Sequence, residues 1–376
     1  MRVESIELRE ISLPLVSPFT TSFSTQTERA CIIVTVRADG VEGYGECVAM
    51  GGPWYSYETV GTAWHIMREY LVPRLLGSDV TDPTTVWDLF APIRGHNMAK
   101  AALEMACWDL AARARGVPLS HMLGGTRDRV AVGVSVGIQE SPQALARTVG
   151  RYLDEGYGRI KVKIAPGHDY DDVAAVREAF PDILLQADAN SAYTLDDVPL
   201  FERMDPLNLL LIEQPLAHDD IVDHATLQRA LRTPICLDES IHSPADARHA
   251  LDLGSCRIIN IKPARVGGHR QSRDIEQLCR EREAPVWCGG MLETNIGRAH
   301  NVALASLPGF TLPGDISASA RYYAHDVAGP DFVLNDDSTL SVPTGPGIGV
   351  EPIPDALAAA TRRTEAFSAP VAGSVV

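Results

Sequence analysis

Positive charge is scarce in this sequence. It has 33 lysines and arginines against 49 aspartates and glutamates, a formal charge of −16. Nucleic acid and anionic membrane surfaces bind basic patches, so the balance argues against both as the main partner. Long apolar runs are missing too. The longest are about six residues, as in Cys31–Val36, where a membrane helix needs ~20. The opening Met1-Arg2-Val3-Glu4-Ser5 has no apolar signal region, and a cytoplasmic protein is expected. The seven cysteines (Cys31, Cys47, Cys107, Cys236, Cys256, Cys279, Cys288) are odd in number and widely spaced, with no Cys-x-x-Cys. That pattern excludes a disulfide framework and a thiolate zinc site, and it predicts small buried hydrophobes. The eleven histidines form no H-x-x-H or HExxH and receive no role. No Gly-x-Gly-x-x-Gly joins a strand to a helix, which weighs against a dinucleotide-binding sheet.

What is present is an ordinary globular composition, 45% hydrophobic and 22% charged. At ~150 residues per domain the 376 residues allow two or three domains. Up to about residue 55 the chain alternates like strands, with Val3, Ile6, Leu8 and then Ile32, Val34, Val36 set between polar neighbours. The period then changes. Ala99, Ala102, Leu103, Ala106, Leu110 and Ala111 form one helical stripe, so residues 1–125 read as a separate α+β unit. From about 130, short apolar strands alternate with helices. Strands are predicted at 130–137, 159–164, 183–189, 209–214, 234–239, 257–262, 285–290 and 310–315. Thr194-Leu195-Asp196-Asp197 has the form of a capping box, and Ser243-Pro244 and Gly254 the form of a helix start and stop. Eight strands at about 25 residues per unit fit a closed parallel barrel. The last ten residues are expected to form a loose tail.

Five successive strands end in charge: Lys163, Asp188, Glu213, Asp238 and Lys262, spaced 25, 25, 25 and 24 residues apart. That regularity predicts all five at one level around one barrel mouth, the face where barrel enzymes hold their chemistry. Parallel strands are buried on both faces, and a lone carboxylate there costs several kcal/mol unless it is paired or bound to metal. Three adjacent carboxylates repel one another. A hard divalent cation with oxygen ligands resolves this, and Mg²⁺ leaves positions open for a substrate. The lysines flank the carboxylates, and Lys161 lies on the same strand face as Lys163. Burial and neighbouring cations are expected to lower lysine pKa values toward those of a working base.

The motifs Lys161-x-Lys163, Asp188-Ala189-Asn190, Glu213-Gln214-Pro215, Asp238-Glu239-Ser240 and Lys262-Pro263 together resemble the muconate lactonizing enzyme subgroup of the enolase superfamily. The resemblance runs over nearly the whole chain. More narrowly, Gly133–Ile138, Asn190–Thr194, Pro285–Glu293 and Leu312–Asp315 resemble its N-succinylamino acid racemase / o-succinylbenzoate synthase branch. It implies an α/β fold: a modified (β/α)7β TIM-like barrel (126–320), an α+β capping domain (1–125) and a C-terminal segment (321–376) returning to the cap. It implies that Asp188, Glu213 and Asp238 bind one Mg²⁺, with Mn²⁺ or another divalent cation as substitute. Lys163 would take an α-proton from a carboxylate substrate, giving an enediolate. Lys262 would return a proton on the opposite face in racemisation, or remain a cation in dehydration. Lys161 would contact the substrate carboxylate. Ser135, Asn190, Gly290, Met291, Asp315 and Ile316 would bind the rest of the substrate. Two cap loops resemble the family's specificity loops, with Phe19 and Thr20 in one, and Met50 and Tyr55 in the other. Arg265 is assigned either to tuning Lys262 or to the surface.

A homo-oligomer, dimer to octamer, acting on a small carboxylate is implied, with menaquinone synthesis as the synthase's context. The competing readings are a dipeptide epimerase or muconate cycloisomerase of the same superfamily, and a non-catalytic metal-binding barrel. A metal-barrel hydrolase would want histidines at the strand ends, where this chain has Lys, Asp and Glu.

Overall fold

The computed structural model describes residues 1–369. Three strands, β1 (Ser5–Thr20), β2 (Thr25–Ala38) and β3 (Val41–Cys47), form an antiparallel meander. Their alternation puts Ile6, Leu8, Ile32, Val34 and Val36 in one buried layer. That layer packs on the helix α1 (Asn97–Arg115), nearly all of which is buried. The approach is close because β3 carries Gly43 and Gly45. A Cβ at Gly45 would lie 2.1 Å from the Ala102 carbonyl oxygen, and one at Gly43 2.3 Å from that of Ala106. Gly116, at φ +67°, ends the helix in the left-handed conformation that glycine tolerates.

Seven parallel strands follow in sequence order: β4 (Val134–Val136), β5 (Arg159–Lys163), β6 (Leu184–Asp188), β7 (Leu211–Glu213), β8 (Ile235–Leu237), β9 (Ile258–Ile261) and β10 (Val286–Cys288). Helices fill the intervals. One of them, Pro244–Leu253, starts on a Ser243 cap and stops at Gly254. Thr194 and Asp197 form a reciprocal capping box, opening a single 3₁₀ turn.

Two predicted strands come out differently. The stretch 130–137 divides. Arg129–Ala131 pairs antiparallel with Thr339–Ser341, and only 134–136 joins the parallel sheet. Gly133, at the break, sits against the Arg159 side chain. The stretch 310–315 is too irregular for a ladder because Pro313 lacks a donor. It still bonds both neighbours: Asp315 N to Cys288 O at 2.8 Å on the β10 side, and Gly133 N to Gly314 O at 2.8 Å on the other. With bridges Val286↔Phe310 and Val132↔Gly314, it closes the ring. The fold is therefore the modified (β/α)7β barrel with an α+β cap.

The chain then returns to the cap. The strand β11 (Thr361–Ser368) pairs antiparallel with β1, Phe367 opposite Ile6. Phe367 and Ser368 thus belong to a sheet and not to a loose tail, while 370–376 lie outside the described residues. All seven cysteines are buried and free. Among the described residues no helix is long and apolar enough to cross a membrane.

Candidate active site

The charged ladder lies at the C-terminal ends of the barrel strands, but it is stepped. Lys163 is opposite Asp188, and Asp188 opposite Glu213. Glu213 then faces Cys236, so Asp238 stands two residues further on. Ile259 faces Leu237, which puts Asn260 opposite Asp238 and Lys262 two beyond. The expectation of one common level is corrected to two steps of two residues. The physical reason is the stagger that barrel closure imposes, and a step of two keeps every side chain on the same face.

The carboxylates and lysines are buried and interlocked. Lys161 Nζ lies 2.8 Å from Glu213 Oε2 and 3.0 Å from Asp188 Oδ2 and Asp315 Oδ2, above the Trp287 ring. Lys163 Nζ donates to Asp188 Oδ2 at 2.6 Å and to Asn190 Oδ1 at 2.8 Å. Lys262 Nζ donates to Asp238 Oδ2 at 2.7 Å and to the Tyr55 hydroxyl at 3.1 Å. Arg265 is buried, not on the surface. It bonds Asp238 through Nη1 and the Ile241 and Asn260 carbonyls through Nε and Nη2. Asn260 donates to Glu213 Oε1 at 2.7 Å. Asn190 also donates to Glu239 Oε1, whose other oxygen has no partner.

These contacts reverse one expectation. Burial works against the charge on Lys161, yet Asp315, Glu213 and Asp188 outweigh it and raise its pKa. Burial likewise opposes the charge on Lys262, and Tyr55 and Glu213 raise its pKa. Neighbouring cations lower a lysine pKa, but the carboxylates lie closer to each ammonium and win. Burial resists ionisation of Asp188, but Lys163 and Lys161 hold its carboxyl far below the usual range. Glu213 is pushed up by burial and by Asp188.

A recess opens above this floor. Barrel residues on its wall are Ser135, Lys161, Lys163, Asn190, Lys262, Gly290, Met291, Leu292 and Asp315, with Tyr322. The Ser135 Oγ is buried without a partner. Gly290 is required by the fit, since a Cβ there would be 2.4 Å from the Asp315 carbonyl oxygen. The cap contributes Phe19, Thr21, Phe23, Gln26, Arg29, Met50 and Tyr55. The β1–β2 tip touches the barrel through Thr20 O, which accepts from Ile138 N at 3.0 Å, and Ser22 Oγ, which donates to Asn190 O at 3.2 Å. The Met50–Thr59 loop is fixed at its exit by Glu58, which accepts from the Met98 and Ala99 amides at the start of α1.

Two residues named from sequence are not on the wall. The Thr20 hydroxyl pairs with Thr25 Oγ1 at 3.0 Å, and Ile316 is 2% exposed within the barrel core. Thr21 and Phe23 fall inside the cap loop Ser17–Phe23 that resembles a specificity loop, and Leu292 inside Pro285–Glu293, though none of the three is singled out there. Gln26, Arg29 and Tyr322 lie outside those motifs, because strand periodicity does not mark which polar side chains a second domain will cover.

Residues 5–124 match the mandelate racemase / muconate lactonizing enzyme N-terminal domain, and residues 144–356 the enolase C-terminal domain-like model. The chain belongs to the enolase superfamily. An o-succinylbenzoate synthase of Geobacillus kaustophilus is 53% identical, with 93% of this chain and 94% of that one covered. An N-succinylamino acid racemase of an Amycolatopsis species is 52% identical, with 95% and 97% covered. A crystal structure of an enolase superfamily member from Listeria innocua superposes with a TM-score of 0.94 at 44% identity, with 98% and 99% covered.

Enolase superfamily enzymes generally use a divalent metal. Among the described residues no three His, Cys, Asp or Glu side chains converge as a ready-made ligand set; Asp188, Glu213 and Asp238 face ammonium groups instead. The donor chemistry nevertheless fits a hard dication. All three are buried oxygen donors on adjacent strands, and the Asp188–Glu213 repulsion is the kind a 2+ charge relieves.

Proposed function

We propose that this protein removes an α-proton from a carboxylate substrate, as an o-succinylbenzoate synthase, an N-succinylamino acid racemase, or both. The observation that carries this reading is that Lys163 and Lys262 both reach the wall of one lidded recess, with the three carboxylates between their strands. Asp188, Glu213 and Asp238 would hold Mg²⁺ or Mn²⁺. When bound, the ion supplies charge stabilisation for the substrate carboxylate as negative charge builds on it. Burial opposes the charge on both flanking lysines, but Asp315 chiefly for Lys161 and Tyr55 chiefly for Lys262, with Glu213 and Asp188 behind them, keep the two cationic.

Lys163 Nζ takes the α-proton, and Asn190 orients that amine through its 2.8 Å contact. In racemisation Lys262 Nζ delivers a proton to the opposite face. In dehydration the substrate loses the α-proton and a β-hydroxyl as water, and Lys262 stays as a cation. Lys161 steadies the carboxylate, with Trp287 beneath its ammonium. The cap loops exclude water, which strengthens each of these charges. The reading also takes the protein as a cytoplasmic homo-oligomer acting on a small molecule, with menaquinone synthesis as the context of the synthase reaction.

A substrate panel tests it. Racemisation of N-succinyl amino acids or dehydration to o-succinylbenzoate is expected. Turnover of dipeptides or of muconate alone rejects it.

A further inference from the structure

Four cationic side chains line the recess: Arg29, Lys161, Lys163 and Lys262. The three lysines each have a carboxylate oxygen within 3.0 Å. Arg29 does not. Among the described residues it forms no ion pair, although its residue is only 2% exposed. A guanidinium has five N–H donors. Here the Val48 and Ala49 carbonyls are its acceptors, and Nε is buried with none. Glu46, which feels the Arg29 charge, is committed elsewhere. Its oxygens accept from the amide and hydroxyl of Thr294 and the amide of Gly297. A buried, uncompensated cation is costly, and the cost falls when an anion arrives with it.

Arg29 lies on the cap wall, beside Phe23, Gln26 and Met50, while the lysines rise from the barrel floor. A substrate that reacts at the floor therefore presents its far end to the cap. We propose that Arg29 recognises a second carboxylate, at the end of the substrate's acyl chain, so that the recess selects dianionic over monoanionic substrates. This rests on the reading of the recess as the substrate site. A planar guanidinium suits such a group, because two parallel N–H donors meet both carboxylate oxygens. Its contacts with the Val48 and Ala49 carbonyls tie it to the segment between β3 and Met50.

Calorimetry on the Mg²⁺-loaded protein with the N-succinyl and N-acetyl derivatives of one hydrophobic amino acid tests this, because it reads binding whether or not turnover occurs. Wild type is expected to bind the succinyl form about tenfold or more tightly over the acetyl form. Arg29→Gln should abolish that preference, and Arg29→Lys, which keeps the charge, should retain part of it. Equal affinities in wild type overturn the proposal, as does no binding of either ligand. So does an Arg29→Gln that weakens both ligands by the same factor, since Arg29 would then act only as a clamp on the two carbonyls. If Arg29→Gln fails to fold, the wild-type comparison and Arg29→Lys decide. A succinyl preference without any turnover would sink the proposed activity and leave the role of Arg29 standing.

Discussion

The Tyr55 hydroxyl accepts a hydrogen bond from Lys262 Nζ at 3.1 Å, and the ammonium sits 4.4 Å from the centre of its ring. A residue of the cap loop thus holds the side chain proposed to serve one face of the substrate. It also donates to Asp238 Oδ1 at 3.1 Å. Tyr55→Phe keeps the ring and removes the hydroxyl. A hydrogen bond to a charged group contributes about 1.5–3 kcal/mol, so kcat/KM for racemisation should fall by about tenfold or more. Dehydration, which needs no proton from Lys262, should fall less. Equal losses in both reactions would mean that the hydroxyl only closes the lid.

The two lysines are separable in the same way. Lys163→Ala should remove both activities, since among the described residues no other amine lies on Asp188 and Asn190 together. Lys262→Ala should remove racemisation by about 10²–10⁴-fold, the usual worth of a positioned acid or base, and leave measurable dehydration. Chiral chromatography of the recovered amino acid derivative, alongside absorbance of the dehydration product, reads the two rates. Racemisation surviving in Lys262→Ala would take the second acid/base role away from that residue.

Divalent metal should matter for stability as well as for rate. Three buried carboxylates on neighbouring strands repel one another, and a bound dication favours the folded chain over the unfolded one. Exhaustive chelation is expected to abolish activity, and Mg²⁺ or Mn²⁺ to restore it. At about 100 times the Kd, added metal should stabilise the fold by about 2.7 kcal/mol, seen as a higher melting temperature. Full activity in excess chelator would exclude the proposed role of Asp188, Glu213 and Asp238.

Much of this site was legible in the sequence, for a physical reason. A charge at the end of an apolar parallel strand is so unfavourable that its recurrence every 25 residues stands out, and Lys163, Asp188 and Glu213 indeed pair in direct register. The step of Asp238 and Lys262 was hidden, because barrel stagger depends on closure and leaves no mark on spacing. Arg29 was hidden for a different reason. In Thr27-Glu28-Arg29-Ala30 it reads as one more polar residue of a strand, and only the packing of the cap on the barrel makes it a buried wall residue. Asn260 sits inside an apolar run, Ile258-Ile259-Asn260-Ile261, and could have been flagged as a buried polar group in need of a partner. That partner is Glu213.

The histidines, given no role from sequence, include a buried pair between cap and barrel. His300 Nε2 lies 2.8 Å from the Tyr44 carbonyl oxygen, so it carries a proton, and His300 Nδ1 must accept from His269 Nε2 at 2.9 Å. Protonating His300 would set two N–H groups against each other in a site with no exposure. Burial accordingly lowers its pKa from the ordinary 6.5 to about 4. Between those values the unfolded chain binds a proton that the folded chain refuses, so stability should rise from pH 4 to pH 6.5 and be lost on acidification. At ~1.4 kcal/mol per pKa unit this contribution is about 3 kcal/mol. Burial raises the carboxyls of Glu46, Glu58 and Glu104 to about 7, and these work in the opposite direction. They are common to wild type and His300→Gln, so the difference between the two proteins isolates the His300–His269 pair. Denaturant midpoints across pH 4–7 should show wild type gaining on His300→Gln by about 3 kcal/mol as pH rises to 6.5. A pH-independent difference would mean that His300 is already free to protonate in the folded chain.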